Sequence, residues 1–94
     1  MTRGSYRYEF GPTTDMIQVE EALLLATMAT EGLHGRSRVH LDAEFRCDAN
    51  ARTAAVDAST EVGDTIARIF TALLTTTIGE PAFKVTRSAK EQCA

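Results

Sequence analysis

Polar and apolar residues alternate at both ends of the chain and near its middle, and two stretches between them repeat every three to four residues. Ser5 to Phe10 alternates, with Tyr6, Tyr8 and Phe10 on one side, which predicts a strand. Gly11-Pro12 ends it, and Thr13, Thr14 and Asp15 offer side-chain oxygens to the free N–H groups of a helix start. From Asp15 to about Glu31 no glycine or proline interrupts a run rich in Ala and Leu, and Gly32 and Gly35 bracket the end of that first helix.

Arg36 to Asp48 alternates more clearly than any other segment. Val39, Leu41, Ala43, Phe45 and Cys47 share one phase, and Arg38, His40, Asp42, Glu44, Arg46 and Asp48 the other. A strand buried on one side and wet on the other produces this pattern. Asp48 to Ala51 reads as a turn, and Arg52 to Ala58 as the returning strand of a hairpin, with Ala54, Val56 and Ala58 inward. Ser59 and Thr60 cap a second helix, whose stripe is Val62, Ile66, Ile69, Phe70, Leu73 and Thr77, with Asp64, Arg68, Thr71 and Thr75 opposite. Gly79 and Pro81 close it, and 82–86 forms a last short strand.

The order β-α-β-β-α-β predicts an α+β, ferredoxin-like two-layer sandwich: a four-stranded antiparallel sheet, two helices on one face and spatial strand order 4-1-3-2. The alternatives are a phosphocarrier-like order of the same elements, or a three-stranded sheet with the last strand swapped into a partner. One domain over 1–87 and a flexible tail over 88–94 are expected, since the tail has little apolar content to pack.

Composition narrows the function. The chain has 94 residues, 44% of them hydrophobic and 24% charged, which fits a single globular domain. Ten Lys and Arg against 13 Asp and Glu leave a formal charge of −3, which argues against nucleic-acid binding. The longest fully apolar run, Leu23 to Ala26, is too short to span a membrane, and no signal peptide is evident, so a cytoplasmic location is expected. Two cysteines, Cys47 and Cys93, make neither a disulfide framework nor a zinc site.

Fold pattern alone does not assign function, so the side chains must. No outward aromatics suit base stacking, no Cys-x-x-Cys suits a metal chaperone, and the first helix has no arginine for an acylphosphatase-like anion loop. Gly32-Leu33-His34-Gly35-Arg36 is similar to the Gly-Leu-His-x-Arg of phosphocarrier proteins. It follows the first helix instead of preceding it, so His34 lacks a helix N-terminus for a phosphate and is read as a polar loop residue.

The candidate binding face is the outward row Arg38, His40, Asp42, Glu44 and Arg46, with Asp57 alongside. Strand neighbours two apart are about 6.5–7 Å apart, too far to converge on one ion, so neither a metal nor another cofactor is expected. No catalytic residue is assigned; an enzyme built on His40, Asp42 and Glu44 ranks third among the readings. A second candidate surface lies on the first helix. Val19, Ala22, Leu23, Ala26 and Ala29 make its core stripe, whereas Ile17, Leu24 and Met28 lie roughly 130–180° away at 100° per residue. Glu20, Thr27 and Glu31 divide the two. The leading expectation is a non-catalytic protein-interaction or assembly module, a homodimer using Ile17, Leu24 and Met28. The alternative is a small-molecule-sensing regulatory domain, similar in element order to amino-acid-sensing domains.

Overall fold

The computed structural model describes residues 4–89. Tyr6, Tyr8 and Phe10 alternate along β1 (Gly4–Phe10), a central strand paired antiparallel on both sides. Its neighbours are β3 (Thr53–Asp57) and β4 (Phe83–Ala89), and β2 (Phe45–Asp48) completes the sheet outside β3. The order β2-β3-β1-β4 is the expected 4-1-3-2 read from the other edge. β4 runs three residues past the expected end at 86. Most of the expected tail, with Cys93, lies outside the described residues.

Asp15 starts α1 (Met16–His34) by accepting the Ile17 N–H at 2.9 Å, and Gly35, at φ 93°, ends it by donating its own N–H to the Glu31 carbonyl. Met16, Val19, Ala22, Leu23 and Ala26 are buried in the core. The helix inserts Thr30, not Ala29, at the end of this stripe: Thr30 is fully buried and donates to the Ala26 carbonyl at 2.7 Å. That bond removes most of the cost of burying a hydroxyl.

The largest departure from expectation follows. Arg36 to Asp42 is a helix, α2, and strand pairing begins only at Phe45. The sheet gives the physical reason. β3 is five residues long and pairs with Phe45–Asp48 through its positions Thr53–Val56. A strand starting at Arg36 would leave a row of backbone groups without partners, whereas a helix satisfies them internally. Val39 donates to the Gly35 carbonyl and Ala43 to the Val39 carbonyl, and Arg38 pairs with Asp42 one turn on at 3.4 Å. Side chains two apart share a side in a strand but diverge by about 200° in a helix. Val39 is therefore buried while Leu41 is 84% exposed.

Thr60 caps α3 (Glu61–Thr77) through its hydroxyl, which accepts the Gly63 N–H at 3.0 Å and donates to the Asp42 carbonyl at 3.1 Å. One side chain thus starts α3 and ties down the end of α2. Val62, Ile66, Phe70 and Leu74 form the buried stripe, Ile69 and Leu73 pack at its margin, and Thr77 is exposed. Gly79, at φ 87°, turns the chain into a short 3-10 segment, Glu80–Ala82, that leads to β4.

Tyr8, Phe10, Ala54 and Val56 share one cluster with residues of all three helices, so the helices cover one face of the sheet. Tyr8 and Phe70 meet edge to face with centroids 4.8 Å apart. Phe45, expected in this core, is 40% exposed because it sits on the four-residue edge strand β2.

Arg52 sits in the left-handed region at φ 57° and clips the β2–β3 turn to the β1–α1 loop. Its Nε donates to the Gly11 carbonyl at 2.9 Å and its Nη2 to the Thr14 carbonyl, while its own carbonyl accepts the Phe10 N–H at 3.0 Å.

Candidate functional site

The open face of the sheet is built from the strand positions that alternate away from the helices. In register across it, Arg46, Ala55, Arg7 and Thr86 form one row, and Asp48, Thr53, Glu9 and Lys84 the next. Arg7 pairs with Glu9 at 3.5 Å on this face. Beside these rows a shallow concavity of about 360 Å³ is lined by Ser5, Glu44, Phe45, Arg46, Ala55 and Asp57.

Three of the six expected binding residues, Glu44, Arg46 and Asp57, therefore meet at one place. Asp57 is committed to local structure: its carboxylate accepts the Ser59 N–H at 2.9 Å, and its own N–H donates to the Glu44 carbonyl at 2.9 Å. The other three, Arg38, His40 and Asp42, lie on α2 and do not line this concavity. Arg38 holds Asp42 and, at 3.3 Å, Glu61. His40 and Asp42, two apart on a helix, point in nearly opposite directions, so the expected His40–Asp42–Glu44 row does not exist. Among the described residues no three His, Cys, Asp or Glu side chains are gathered closely enough to hold a metal ion.

His34 is the last residue of α1, not a loop residue, with Nε2 3.2 Å from the Thr65 hydroxyl of α3. Cys47 is half-buried on β2. Burial, with the Glu20 and Asp48 carboxylates nearby, pushes its thiol pKa up, the opposite of what a nucleophilic thiolate needs.

The second surface is the outward face of α1. Ile17, Leu24 and Met28 are 64%, 60% and 56% exposed, as the helical phase requires for side chains opposite the core stripe. Leu25, 53% exposed, widens this patch. At 100° per residue Leu25 lies about 80° from Ile17, on the margin of the stripe. No helix among the described residues is long and apolar enough to cross a membrane.

Among the described residues, these surfaces belong to a small α+β domain with a four-stranded antiparallel sheet, three α-helices and a two-faced first helix. Compared with known family models, curated proteins and solved structures, the chain matches none.

Proposed function

We propose that this domain, of ferredoxin-like topology, is a non-catalytic protein-interaction module that docks through the outward face of α1. The observation that carries the reading is the apolar patch of Ile17, Leu24, Leu25 and Met28, four large side chains more than half exposed on one helix. Exposed apolar clusters of this kind mark interaction sites on water-facing domains. A homodimer is one form of this reading, with the patch of each copy as the contact. A cytoplasmic setting is part of this reading.

The test is a pair of substitutions, Leu24→Glu and Met28→Glu, followed by circular dichroism and by binding or self-association measurements. An unchanged melting midpoint with lost association supports the reading. Unfolding would assign the patch to the core and sink it.

The sensing alternative draws on the concavity beside Arg46, where a basic group and the Glu44 carboxylate are set to meet a zwitterionic ligand. Thermal-shift screening with free amino acids tests it, and a stabilisation lost in Arg46→Ala would favour sensing over docking.

A further inference from the structure

The charges around the α1 patch decide what fits it. Within Met16–His34 the acidic residues are Glu20, Glu21 and Glu31, and the helix contains no lysine or arginine. Glu20 lies three and four residues from Ile17 and Leu24, Glu21 four from both Ile17 and Leu25, and Glu31 three from Met28. Each carboxylate therefore neighbours an exposed apolar side chain on the helix surface. None of the three takes part in an ion pair among the described residues, although Arg7, Arg38 and Arg68 all do. The surface is an apolar strip edged by uncompensated negative charge.

A second copy fits this strip badly. An antiparallel twofold pairing of α1 sets like flank against like flank, so the side that carries Glu20 and Glu31 in one copy faces the same acidic side of the other. A parallel pairing leaves Glu21 near the seam. An anionic membrane surface is repelled for the same reason. A helix with an apolar face and lysine or arginine along its margins satisfies both features at once, burying the four apolar residues and pairing the three carboxylates.

We propose that the outward face of α1 is the receptor surface for a cationic amphipathic helix of another protein. This rests on the docking reading above and narrows it to one kind of occupant.

The probe is a labelled peptide of about 18 residues, five helical turns, with leucine on one face and lysine on the rest, beside its glutamate counterpart. Binding is read by fluorescence anisotropy at low and physiological salt. The lysine peptide should bind at least tenfold more tightly than the glutamate one, and added salt should weaken it. Leu24→Ser with Met28→Ser should cost tenfold or more. Glu20→Gln, Glu21→Gln and Glu31→Gln together, which leave the apolar patch intact and are near-isosteric, should cost about tenfold and flatten the salt dependence.

Equal binding of the two peptides overturns the proposal. So does absence of binding to the lysine peptide, or lysine-peptide binding that is indifferent to either set of variants. Binding of the wild type to phosphatidylglycerol vesicles, lost in the serine variant, assigns the face to a membrane and also overturns it. Sedimentation as a dimer that the serine variant converts to a monomer overturns the cationic occupant while leaving docking through α1 intact. Unfolding of the glutamate variants described above removes docking itself.

Discussion

The Tyr8 hydroxyl lies 2.8 Å from the Thr71 Oγ1, joining the central strand to the middle of the last helix. The Ala67 carbonyl lies within reach of both hydroxyls, 2.8 Å from Thr71 and 3.4 Å from Tyr8, so the three groups share one small network. Thr71 belongs to the side of α3 expected to face water, and the tyrosine reaches across to claim it.

Burial pushes the Tyr8 pKa up to about 12 from the ordinary 10.0, against the lowering effect of the Thr71 hydrogen bond. The neutral phenol is thus favoured in the folded state. Stability is fully present below pH 10 and falls as pH rises from about 10 to 12, because the unfolded chain loses this proton first. The loss should reach about 2–3 kcal/mol for a shift of this size. Tyr8→Phe should cost about 0.5–1.5 kcal/mol at neutral pH and remove most of the alkaline fall. Urea unfolding across that window checks both; an equal alkaline fall in the two proteins refutes the assignment to Tyr8.

Phe70→Ala and Phe45→Ala should separate sharply. Phe70 is fully buried against Tyr8, so its truncation should cost about 3–5 kcal/mol, a large part of the stability of a domain this size. Phe45 is 40% exposed at an edge, and its loss should cost under about 1.5 kcal/mol. Equal effects in denaturant melts would mean that β2 is packed more deeply than described.

Gly63→Ala reverses the usual helix rule. Alanine normally stabilises a helix by about 1 kcal/mol over glycine. A Cβ at Gly63 would lie 1.9 Å from the Asp57 carbonyl oxygen and 3.1 Å from its carbon, where the first turn of α3 crosses the end of β3. Backbone cannot step aside cheaply there, so the variant should lose at least about 2 kcal/mol or fail to fold. Gly32→Ala in α1 is the control, since nothing lies within 4 Å of the added carbon. A stable Gly63→Ala protein would contradict the close approach.

Arg52→Gly relieves the left-handed backbone but deletes both guanidinium contacts to the β1–α1 loop. With two donors to carbonyls lost, a net destabilisation of about 1–2 kcal/mol is expected, since relief of the φ strain returns about 1 kcal/mol. Arg52→Lys keeps the charge but not the two-pronged geometry and should recover less than half of the loss. A Gly variant more stable than wild type would show that the clip contributes nothing.

The strand β1, the caps Asp15 and Thr60, the Phe70 stripe and the outward Ile17, Leu24 and Met28 were all legible, because each depends on periodicity or on local hydrogen bonding. The α2 helix was not. Val39 and Leu41 alternate as a strand would, and nothing within Arg36–Asp42 says that its partner strand ends five residues after it begins. That limit is tertiary, and it also dissolved half of the expected binding row by moving Arg38, His40 and Asp42 onto a helix. The Arg52 clip and the Tyr8–Thr71 bond join residues 38 and 63 positions apart, a separation that no local pattern encodes.

The coiling of Arg36–Asp42 has a consequence for how the molecule behaves in a crowd of its own kind. A sheet edge with open amide and carbonyl groups invites another chain to add itself, and such additions can continue without end. Here the β2 edge is cut to four residues, too little to template a stable ribbon. The longer opposite edge, β4, carries Lys84 and Arg87, with Arg87 drawn over the Tyr6 ring at 5.6 Å. Cationic side chains at that margin repel a like strand arriving beside them. One border is thus guarded by brevity and the other by charge, so the sheet stays finite at both ends.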